Sequence, residues 1–279
     1  MQSFVTHEGF GMEIRAQNVC KLWGQATAEP TLAINSATHT FGSRKFTCLL
    51  GPSGCGKSTL LQIIGGIAPL SLGEVQIIDP GTGQQVALGK ESVMVWQTFN
   101  LFPWLTVIDN VAFGLKMAGL QKAERMKRAQ ELISFVGLTG FEKKLPKELS
   151  GGMRQRVGLA RALITNPAIL LMDEPFGALD AQTKTVMQQE VQRLFLQTQK
   201  TIVFVTHSIE ESIILADEVV VMSARPGRIK ATVPIDLPRP RTLECVSTPL
   251  FGRFFEQIYE LIREEVEKTL VQERRVATA

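Results

Sequence analysis

The sequence predicts an α/β protein in which a mostly parallel sheet is flanked by helices. Short, continuous apolar runs rich in β-branched residues are typical of strands that are buried on both faces of a sheet. The chain has such runs at Phe46–Leu50, Ala168–Met172, Thr201–Thr206 and Val219–Met222. Segments with helical periodicity lie between them, and this alternation of strands and helices indicates an α/β fold.

One of these helices is predicted between the second and the third strand run. Its apolar residues recur at the spacing of a single helical face. They are Met187, Val191, Leu194 and Phe195. The polar residues predicted to lie on the opposite face are Gln188, Gln189 and Arg193.

A helical subdomain is predicted to be inserted into this α/β core. From about residue 98 to residue 165 the strand signal disappears and helical runs replace it. These runs cover residues 107–117, 123–136 and 150–165. The flanking parts, about 12–97 and 166–235, are therefore predicted to form the core that contains the sheet.

A helical extension is predicted at the C-terminal end. The prolines in residues 234–240 predict an extended connector, so we place the main domain at residues 12–241 and the extension at residues 242–279. The extension has an apolar stripe formed by Phe251, Phe255, Ile258, Ile262, Val266 and Leu270. We expect the stripe to pack on the chain's own core, on a second copy or on a membrane. The mixed charges of its polar side make the membrane the least favoured of the three.

The composition excludes several classes of protein. With 44% hydrophobic and 20% charged residues, the 279-residue chain has enough apolar content for a folded core, which excludes a disordered protein. The formal net charge of +3 is too small for the basic surface that nucleic-acid binding needs. The four cysteines form no close pair, and no apolar run reaches the ~18 residues that span a bilayer. We therefore expect a protein of the reducing cytosol that is not itself embedded in a membrane.

The first chemical motif is a P-loop directly after the first strand run. Residues 51–59 read GPSGCGKST and lead into a segment of helical character. The glycines let backbone N–H groups point at phosphate oxygens, while Lys57 reaches the β- and γ-phosphates and Ser58 offers a hydroxyl to Mg²⁺. The predicted nucleotide-binding residues are Gly51, Pro52, Ser53, Gly54, Cys55, Gly56, Lys57, Ser58 and Thr59.

The second motif is a pair of carboxylates at the end of a buried strand run. Asp173 and Glu174 directly follow Ala168–Met172. Two adjacent carboxylates are costly to desolvate without a cation partner, so a magnesium-bound nucleotide nearby would explain them. We expect Asp173 to hold the magnesium shell through water, and Glu174 to act on the attacking water as general base or polariser.

The third motif opens the last helix of the inserted subdomain. Residues 149–153 read LSGGM. Ser150 is predicted to be the N-cap, and Gly151 and Gly152 leave the first amide donors of the helix uncovered. The sequence therefore contains a second candidate anion site besides the P-loop.

These motifs, in this order, resemble those of the ATP-binding cassette (ABC) ATPases over about residues 12–235. The resemblance implies a P-loop NTPase core with an antiparallel β part and an inserted α-helical subdomain. It also implies a dimer that binds ATP and Mg²⁺. In that dimer the signature of one subunit, Ser150, Gly151 and Gly152, closes over the nucleotide held by the P-loop of the other.

The resemblance also implies roles for residues outside these motifs. Gln97 corresponds to the Q-loop glutamine, which belongs both to the catalytic residues and to the metal site. His207 corresponds to the switch histidine at the γ-phosphate, and Trp23 to the aromatic residue under the adenine ring. Residues 177–180 correspond to the D-loop, so Asp180 is expected to border the nucleotide.

The resemblance also implies which residues are catalytic and which bind the metal. The implied catalytic residues are Glu174, His207, Gln97 and Lys57. The implied metal-site residues are Ser58, Gln97 and Asp173. Two residues depart from the commonest family choice, since Met153 stands where glutamine is usual and Trp23 where tyrosine is usual. Neither change removes a phosphate contact or an aromatic face, so an active ATPase is expected.

Three further segments narrow the class of ABC ATPase. Residues 98–114, 222–228 and 237–241 are similar to those of nitrate, sulfonate and taurine importers. The resemblance implies the ATP-hydrolysing subunit of a bacterial importer for a small solute, an anion such as nitrate, sulfonate or taurine. The alternative is an ABC ATPase subunit of another transporter class, in export or lipid handling, or a soluble ABC ATPase.

An importer subunit implies specific partners. These are two transmembrane permease subunits, a second identical or closely related ATP-binding subunit and, indirectly, a periplasmic or lipid-anchored solute-binding protein; no nucleic acid is expected. The chain is then expected at the cytoplasmic face of the inner (plasma) membrane as a peripheral protein. The apolar residues predicted either to line a groove for a short permease helix or to pack inside the helical subdomain are Phe99, Leu101, Phe102, Pro103 and Trp104.

Overall fold

The computed structural model describes residues 11–24 and 29–277, with side chains described up to residue 268. The strands of these residues are, in chain order, β1 (Glu13–Trp23), β2 (Thr31–Phe41), β3 (Phe46–Leu50), β4 (Leu72–Ile78), β5 (Gln85–Val86), β6 (Ser92–Val95), β7 (Ile169–Asp173), β8 (Thr201–Thr206), β9 (Glu218–Met222) and β10 (Ile229–Pro234). The α-helices are α1 (Lys57–Ile64), α2 (Val107–Met117), α3 (Lys122–Phe135), α4 (Gly151–Leu163), α5 (Ala181–Thr198), α6 (Ile209–Leu215) and α7 (Pro249–Ala277). Short 3₁₀ turns occur at Pro146–Glu148 and Leu243–Ser247.

A six-stranded sheet with the strand order β10-β9-β3-β8-β7-β6 forms the centre of the fold. Neighbouring strands from β9 to β6 are parallel, whereas β10 runs antiparallel to β9. Every residue of β3, β7 and β8 is buried, as continuous apolar runs predict. The predicted, mostly parallel sheet is therefore confirmed.

A second, antiparallel sheet has the strand order β2-β1-β4-β5. It meets the central sheet at Gly227, whose backbone N–H donates to the carbonyl of Ala33 at 2.9 Å. The carbonyl of Gly227 in turn accepts from the N–H of Asn35 at 2.9 Å. This sheet is the antiparallel β part that the sequence resemblance implies.

The central sheet separates two apolar layers. Because successive strand residues point to opposite faces, Leu170 of β7 lies in one layer and Leu171 in the other. The layer of Leu171 also contains Leu60 of α1 and Ile14 of the antiparallel sheet. The layer of Leu170 is built with residues of α2 to α7. The strands therefore serve both layers at once.

The chain between β6 and β7 forms α2, α3 and α4, in the region where the strand signal disappears. Helix α2 packs on both α3 and α4, and Val111 and Val157 join the apolar layer that contains Leu170. Ser150 caps α4 by accepting a hydrogen bond from the N–H of Met153 at 3.3 Å. The predicted N-cap is thus confirmed.

The polar face predicted for α5 is partly wrong. Met187 and Val191 are buried as predicted, but Gln188 is also buried, with 7% of its surface exposed. A residue only 100° around the helix from Met187 lies at the border of the apolar face. The amide of Gln188 is satisfied there by donating to the carboxylate of Glu211 at 3.4 Å. Burial of a polar side chain with a partner of its own is invisible to an apolar pattern.

Helix α7 follows the extended connector and packs on the chain's own core. Phe251 and Ile258 are buried in the layer of Leu170, and Phe255 and Ile262 pack against it partly buried. Packing on the own core, one of the three expected environments, is confirmed for this part of the stripe. Among the described residues, no helix combines the length and the apolar character needed to cross a lipid bilayer.

The stripe of α7 ends earlier than predicted. Val266 is 39% exposed, whereas its neighbour Glu265 is 2% exposed. Glu265 accepts a hydrogen bond from the N–H of Ala224 at 2.8 Å and pairs with Lys230 at 2.9 Å. Ala224 and Lys230 thus offer polar partners on the side of α7 that faces the core. The helix therefore points Glu265 inward and leaves Val266, which the apolar pattern predicts in the core, exposed. Leu270 lies outside the described side chains.

Candidate nucleotide-binding site

Most of the predicted catalytic residues meet at one edge of the central sheet. The P-loop follows β3, His207 follows β8, Asp173 ends β7 and Gln97 lies two residues after β6. These four strands are parallel neighbours in the order β3-β8-β7-β6, so their carboxyl ends lie side by side. The carboxyl edge of a parallel sheet is where α/β proteins bind their ligands.

The P-loop backbone takes a conformation that requires glycine at two positions. Gly54 and Gly56 have φ angles of +72° and +97°. A Cβ atom on Gly56 would lie 2.9 Å from the side chain of Ile34 and 3.0 Å from the carbonyl oxygen of Ala33. The loop thereby stays close to β2, and α1 begins immediately afterwards at Lys57. Its uncovered N–H groups make this helix start suitable for an anion.

The ammonium group of Lys57 lies inside this loop. It donates to the carbonyl oxygens of Gly51 at 2.7 Å and Pro52 at 2.9 Å, and the residue is 5% exposed. Both partners are neutral, so they orient the ammonium group without cancelling its charge. A buried positive charge of this kind favours an anionic ligand. Cys55 lies nearby as a protonated thiol, because burial raises its pKa.

Ser58 and Asp173 join the P-loop to the end of β7. The hydroxyl of Ser58 donates to Oδ1 of Asp173 at 2.7 Å, and Asp173 is 8% exposed. Burial raises the pKa of Asp173, and the nearby carboxylate of Glu174 raises it further. Among the described residues, acidic, histidine and cysteine side chains nowhere form a group of three that could hold a metal by themselves. A hydroxyl and one poorly solvated carboxylate instead fit Mg²⁺, which takes few protein ligands and completes its shell with water and phosphate oxygens.

Glu174 and His207 form a direct contact. Nδ1 of His207 lies 3.1 Å from Oε2 of Glu174, and the His207 side chain is 63% exposed at the edge of the sheet. Glu174 has a φ angle of +42°, and its N–H donates to the carbonyl of Val205 at 3.0 Å. This conformation turns its side chain out of the strand direction and toward the site.

Gln97 reaches the same place from β6. A Cβ atom on Gly177 would lie 3.5 Å from Nε2 of Gln97 and 3.8 Å from Oε2 of Glu174. The amide and the carboxylate therefore flank one glycine. The structure thus brings Gln97, Glu174 and His207 together at the end of the strands that carry the P-loop and Asp173.

Trp23 lies at the end of β1, where it pairs with Thr31 of β2. Two residues further along β2, Ala33 contacts the P-loop. The indole is 41% exposed, and Nζ of Lys21 lies 4.2 Å from its ring centroid. Since Lys21 covers one face, the other face of the ring is the one available for stacking.

The signature residues do not join this cluster within one chain. A Cβ atom on Gly151 would meet Phe99 and Leu179, and one on Gly152 would lie 2.2 Å from Thr183. These neighbours belong to the segment before α2 and to the start of α5. Within one chain, Gly151 and Gly152 therefore border Phe99, Leu179 and Thr183 rather than the P-loop.

Asp180 is placed at the start of α5 and acts as its N-cap. Its carboxylate accepts from the N–H of Thr183 at 3.0 Å and from the hydroxyl of the same residue at 2.7 Å. These hydrogen bonds lower the pKa of Asp180. In this structure Asp180, predicted to border the nucleotide, therefore caps α5.

A cleft of about 90 Å³ lies beside the segment after Gln97 and is lined in part by Trp96, Phe99 and Arg161. Of the five residues predicted to line a groove, Phe99 lines this cleft, while Trp104 stands 71% exposed. Leu101 and Phe102 instead follow the alternative of packing within the helical segment. Leu101 packs against the core, and the Phe102 ring lies 4.4 Å from that of Phe113. Pro103 is exposed.

Sequence reasoning missed two side chains at the site. Arg225 donates through Nε to the carbonyl of Gly54 at 3.2 Å, so a loop after β9 supports the P-loop. Nothing in its local sequence indicates that contact, which joins residues far apart in the chain. Lys21 is the second, and its position two residues before Trp23 on the same strand face is a signal that could have identified it.

Comparisons with known proteins show which proteins this chain is similar to. The protein family described as ABC transporter matches residues 34–177. An uncharacterised ABC transporter ATP-binding protein of Methanocaldococcus jannaschii is 42% identical over 260 residues, covering 93% of this chain and 94% of that one. A taurine import ATP-binding protein of Rhizobium johnstonii is 50% identical over 207 residues, covering 74% of this chain and 78% of that one.

Solved structures show the same fold. The dimeric structure of an ATP-binding cassette in a post-hydrolysis state, bound to ADP and Pi, superposes with a TM-score of 0.69 at 29% identity. The match covers 81% of this chain and all of that one. A second dimeric structure of the same protein, described as a bacterial ABC transporter cassette, gives a TM-score of 0.70 at 30% identity.

Proposed function

The chain belongs to the ABC transporter family of ATP-binding proteins, and on that premise we propose that it hydrolyses ATP as the motor subunit of a bacterial importer for a small solute. The observation that carries the proposal is the assembly of Lys57, Asp173, Glu174 and His207 at one sheet edge. The importer direction is supported by the taurine import relatives.

Nucleotide binding follows from the P-loop geometry. The N–H groups of the loop and of the start of α1 surround the phosphates, and the Lys57 ammonium group compensates the charge of the β- and γ-phosphates. The adenine stacks on the open face of Trp23, whose other face is covered by Lys21. Charge and stacking therefore act at opposite ends of the nucleotide.

Ser58 and Asp173 are the residues that would hold Mg²⁺, and Gln97, two residues after β6, would be a further ligand. When bound, the ion neutralises phosphate charge as it develops in the transition state. Asp173 keeps its carboxylate at this position through the hydrogen bond from Ser58. The resulting donor set consists of oxygens only, which suits a hard cation.

Hydrolysis uses the contact between Glu174 and His207. The Glu174 carboxylate accepts the proton of a water in line with the γ-phosphate. His207 contacts the γ-phosphate, and its 3.1 Å contact with Glu174 orients the carboxylate of that residue. The hydrogen-bonded pair thus fixes the proton acceptor relative to the phosphate.

Two copies complete two sites. Gly151 and Gly152 border Phe99, Leu179 and Thr183 rather than their own P-loop. With Ser150 they close over the nucleotide of a second copy, and Asp180 lies at the border between the copies. ATP closes the dimer and hydrolysis reopens it. The signature supplies uncovered N–H groups and the Ser150 hydroxyl to the γ-phosphate.

The membrane partners are two permease subunits, with a solute-binding protein acting through them, and the chain lies as a peripheral subunit on the cytoplasmic face of the membrane. The cleft beside Phe99 and the exposed Trp104 form the docking surface for a short permease helix. Because this surface adjoins Gln97, docking is coupled to the nucleotide site. The solute is a small anion of the nitrate, sulfonate or taurine type.

The test is reconstitution of the complete transporter. We expect the tagged chain to co-purify with membrane-spanning subunits, and proteoliposomes to accumulate taurine, nitrate or an alkanesulfonate only with Mg·ATP. Lys57→Ala should abolish uptake through lost nucleotide binding, and Trp104→Ala should weaken assembly while leaving nucleotide binding intact. ATP-driven export of these solutes, or Mg·ATPase activity by a chain that never associates with a permease, would contradict the proposal.

A further inference from the structure

A buried carboxylate outside the catalytic cluster joins two of its supporting segments. Glu211 lies in the first turn of α6 and is 4% exposed. We propose that Glu211 is a positioning residue that couples the start of α5 to the loop carrying His207. This inference rests on the proposed ATPase function, since it concerns the geometry of the Glu174 and His207 pair.

One carboxylate oxygen of Glu211 holds the loop around His207. The Thr206 hydroxyl donates to Oε2 of Glu211 and accepts from the N–H of Ser208 at 3.0 Å. The Ser208 hydroxyl in turn accepts from the N–H of Glu211 at 3.3 Å. The residues before and after His207 are therefore bonded to each other and to Glu211, which fixes the backbone of His207 from both sides.

The other carboxylate oxygen holds α5. Nζ of Lys184 lies 2.7 Å from Oε1 of Glu211, and the amide of Gln188 donates to the same oxygen at 3.4 Å. The Glu211 side chain is 6% exposed and that of Lys184 is 32% exposed, so this ion pair is largely shielded from water. The N–H of Lys184 donates to the carbonyl of Asp180, which places the pair in the first turn of α5.

The two oxygens of the Glu211 carboxylate thus bind two different segments, the loop around His207 and the start of α5. A buried charge that loses one partner is strongly destabilised, so the segments are held in a fixed relative position. A movement of the α5 start, which follows the turn after Glu174, is transmitted through Glu211 to Thr206 and hence to His207. Nδ1 of His207 lies 3.1 Å from Glu174, so the same movement changes the pair that acts on the attacking water.

The test compares Glu211→Gln with Glu210→Gln, which changes the exposed neighbouring carboxylate of the same turn. Glutamine keeps the shape of Glu211 and an acceptor for Thr206 but removes the charge that pairs with Lys184. We expect kcat for Mg·ATP to fall about tenfold or more in Glu211→Gln, with KM within about twofold, because small displacements of reacting groups cost rate rather than ground-state binding. Glu210→Gln should match the wild type.

A second readout separates positioning from simple support of the fold. The chain has three histidines, so the His207 ring signal can be assigned by NMR with labelled histidine. We expect this signal to shift in Glu211→Gln and in Lys184→Met, which removes only the charged partner of Glu211 in α5. If Glu211→Gln does not fold, the kcat and the His207 signal of Lys184→Met test the proposal instead.

The possible results are distinct. A lower kcat together with a shifted His207 signal supports the inference. Wild-type kcat, or a loss of thermal stability with an unmoved His207 signal, overturns it. If the wild-type chain binds but never hydrolyses Mg·ATP, the proposed function fails instead, and the His207 signal still reports whether Glu211 holds the loop.

Discussion

The hydroxyl of Ser58 donates a 2.7 Å hydrogen bond to Oδ1 of Asp173, although 115 positions separate the two residues in sequence. Ser58 lies at the start of α1, after β3, and Asp173 ends β7, so the bond passes over the end of β8 between them. Two motifs that are far apart in the chain are thereby held together by a direct hydrogen bond between their side chains. Groups that are fixed in this way lower the free energy needed to arrange the site during the reaction.

Replacing Glu174 with glutamine should block the chemical step and leave binding intact. Glutamine keeps the shape and polarity of the side chain but cannot accept the proton, and general-base assistance is worth about 10²–10⁴-fold in rate. We expect normal Mg·ATP binding by calorimetry, turnover at least ~100-fold slower, and a closed dimer that accumulates in light scattering. Near-normal turnover would move the proton acceptor away from Glu174, with His207 the next candidate.

Ser150→Arg should prevent dimer closure without affecting the P-loop of the same chain. The signature contacts Phe99, Leu179 and Thr183 rather than its own P-loop, so a bulky side chain there blocks only a partner's phosphate. We expect wild-type ATP affinity by calorimetry and no dimer by light scattering when the change is combined with Glu174→Gln. The control Ser150→Ala removes the N-cap, worth about 1 kcal/mol of stability. If the dimer still forms when Ser150→Arg is combined with Glu174→Gln, the signature does not lie at the nucleotide sites of the dimer.

The sequence predicts the chemical motifs of this fold better than the contacts between them. A P-loop or a buried strand is a local pattern, and the strand Phe46–Leu50 and the helix Val107–Met117 have the predicted bounds. The burial of Gln188 was missed because its partner, Glu211, lies on a different helix. The inward turn of Glu265 depends in the same way on Ala224 and Lys230. Such pairs join distant residues and carry no periodicity that a single sequence displays.

Stability at acid pH should depend on Glu265. Burial raises the pKa of this carboxyl, but the hydrogen bonds from Lys268, Lys230 and the N–H of Ala224 outweigh burial and lower it to about 2. A Glu in the unfolded chain has a pKa of about 4.3. Because the folded pKa is the lower one, the stabilisation is fully present above pH ~5 and is lost as the pH falls toward about 2, on the order of 3 kcal/mol.

Urea unfolding at a series of pH values measures this dependence. We expect the free energy of unfolding to fall from pH 6 to pH 3 in the wild type, and to fall less steeply in Glu265→Gln, which cannot titrate. Glu267→Gln, on the exposed side of α7, is the matched control and should keep the wild-type slope. The same slope in Glu265→Gln and the wild type would mean that other carboxylates dominate acid unfolding.

The buried guanidinium of Arg241 joins the C-terminal connector to α6. It donates to the carbonyls of Ile213 and Ala216 at 2.6 Å each, and to those of Ile235 and Leu237 at 3.0 Å each. Burial, together with repulsion from Arg239, lowers its pKa to about 10, so the group remains charged at neutral pH. The carbonyls thus share one cation.

Arg241→Met should lower the free energy of unfolding by about 3 kcal/mol, because it leaves several buried carbonyls without a donor while keeping most of the apolar volume. Arg241→Lys should rescue only part of this loss, since an ammonium group cannot copy the fork geometry of a guanidinium. Urea unfolding at neutral pH is the measurement, and Arg253→Met, at an exposed position of α7, is the control. For Arg253→Met we expect a change within the ±0.5 kcal/mol that is typical of surface substitutions. An equally small change in Arg241→Met would show that water replaces the guanidinium as the donor to the carbonyls.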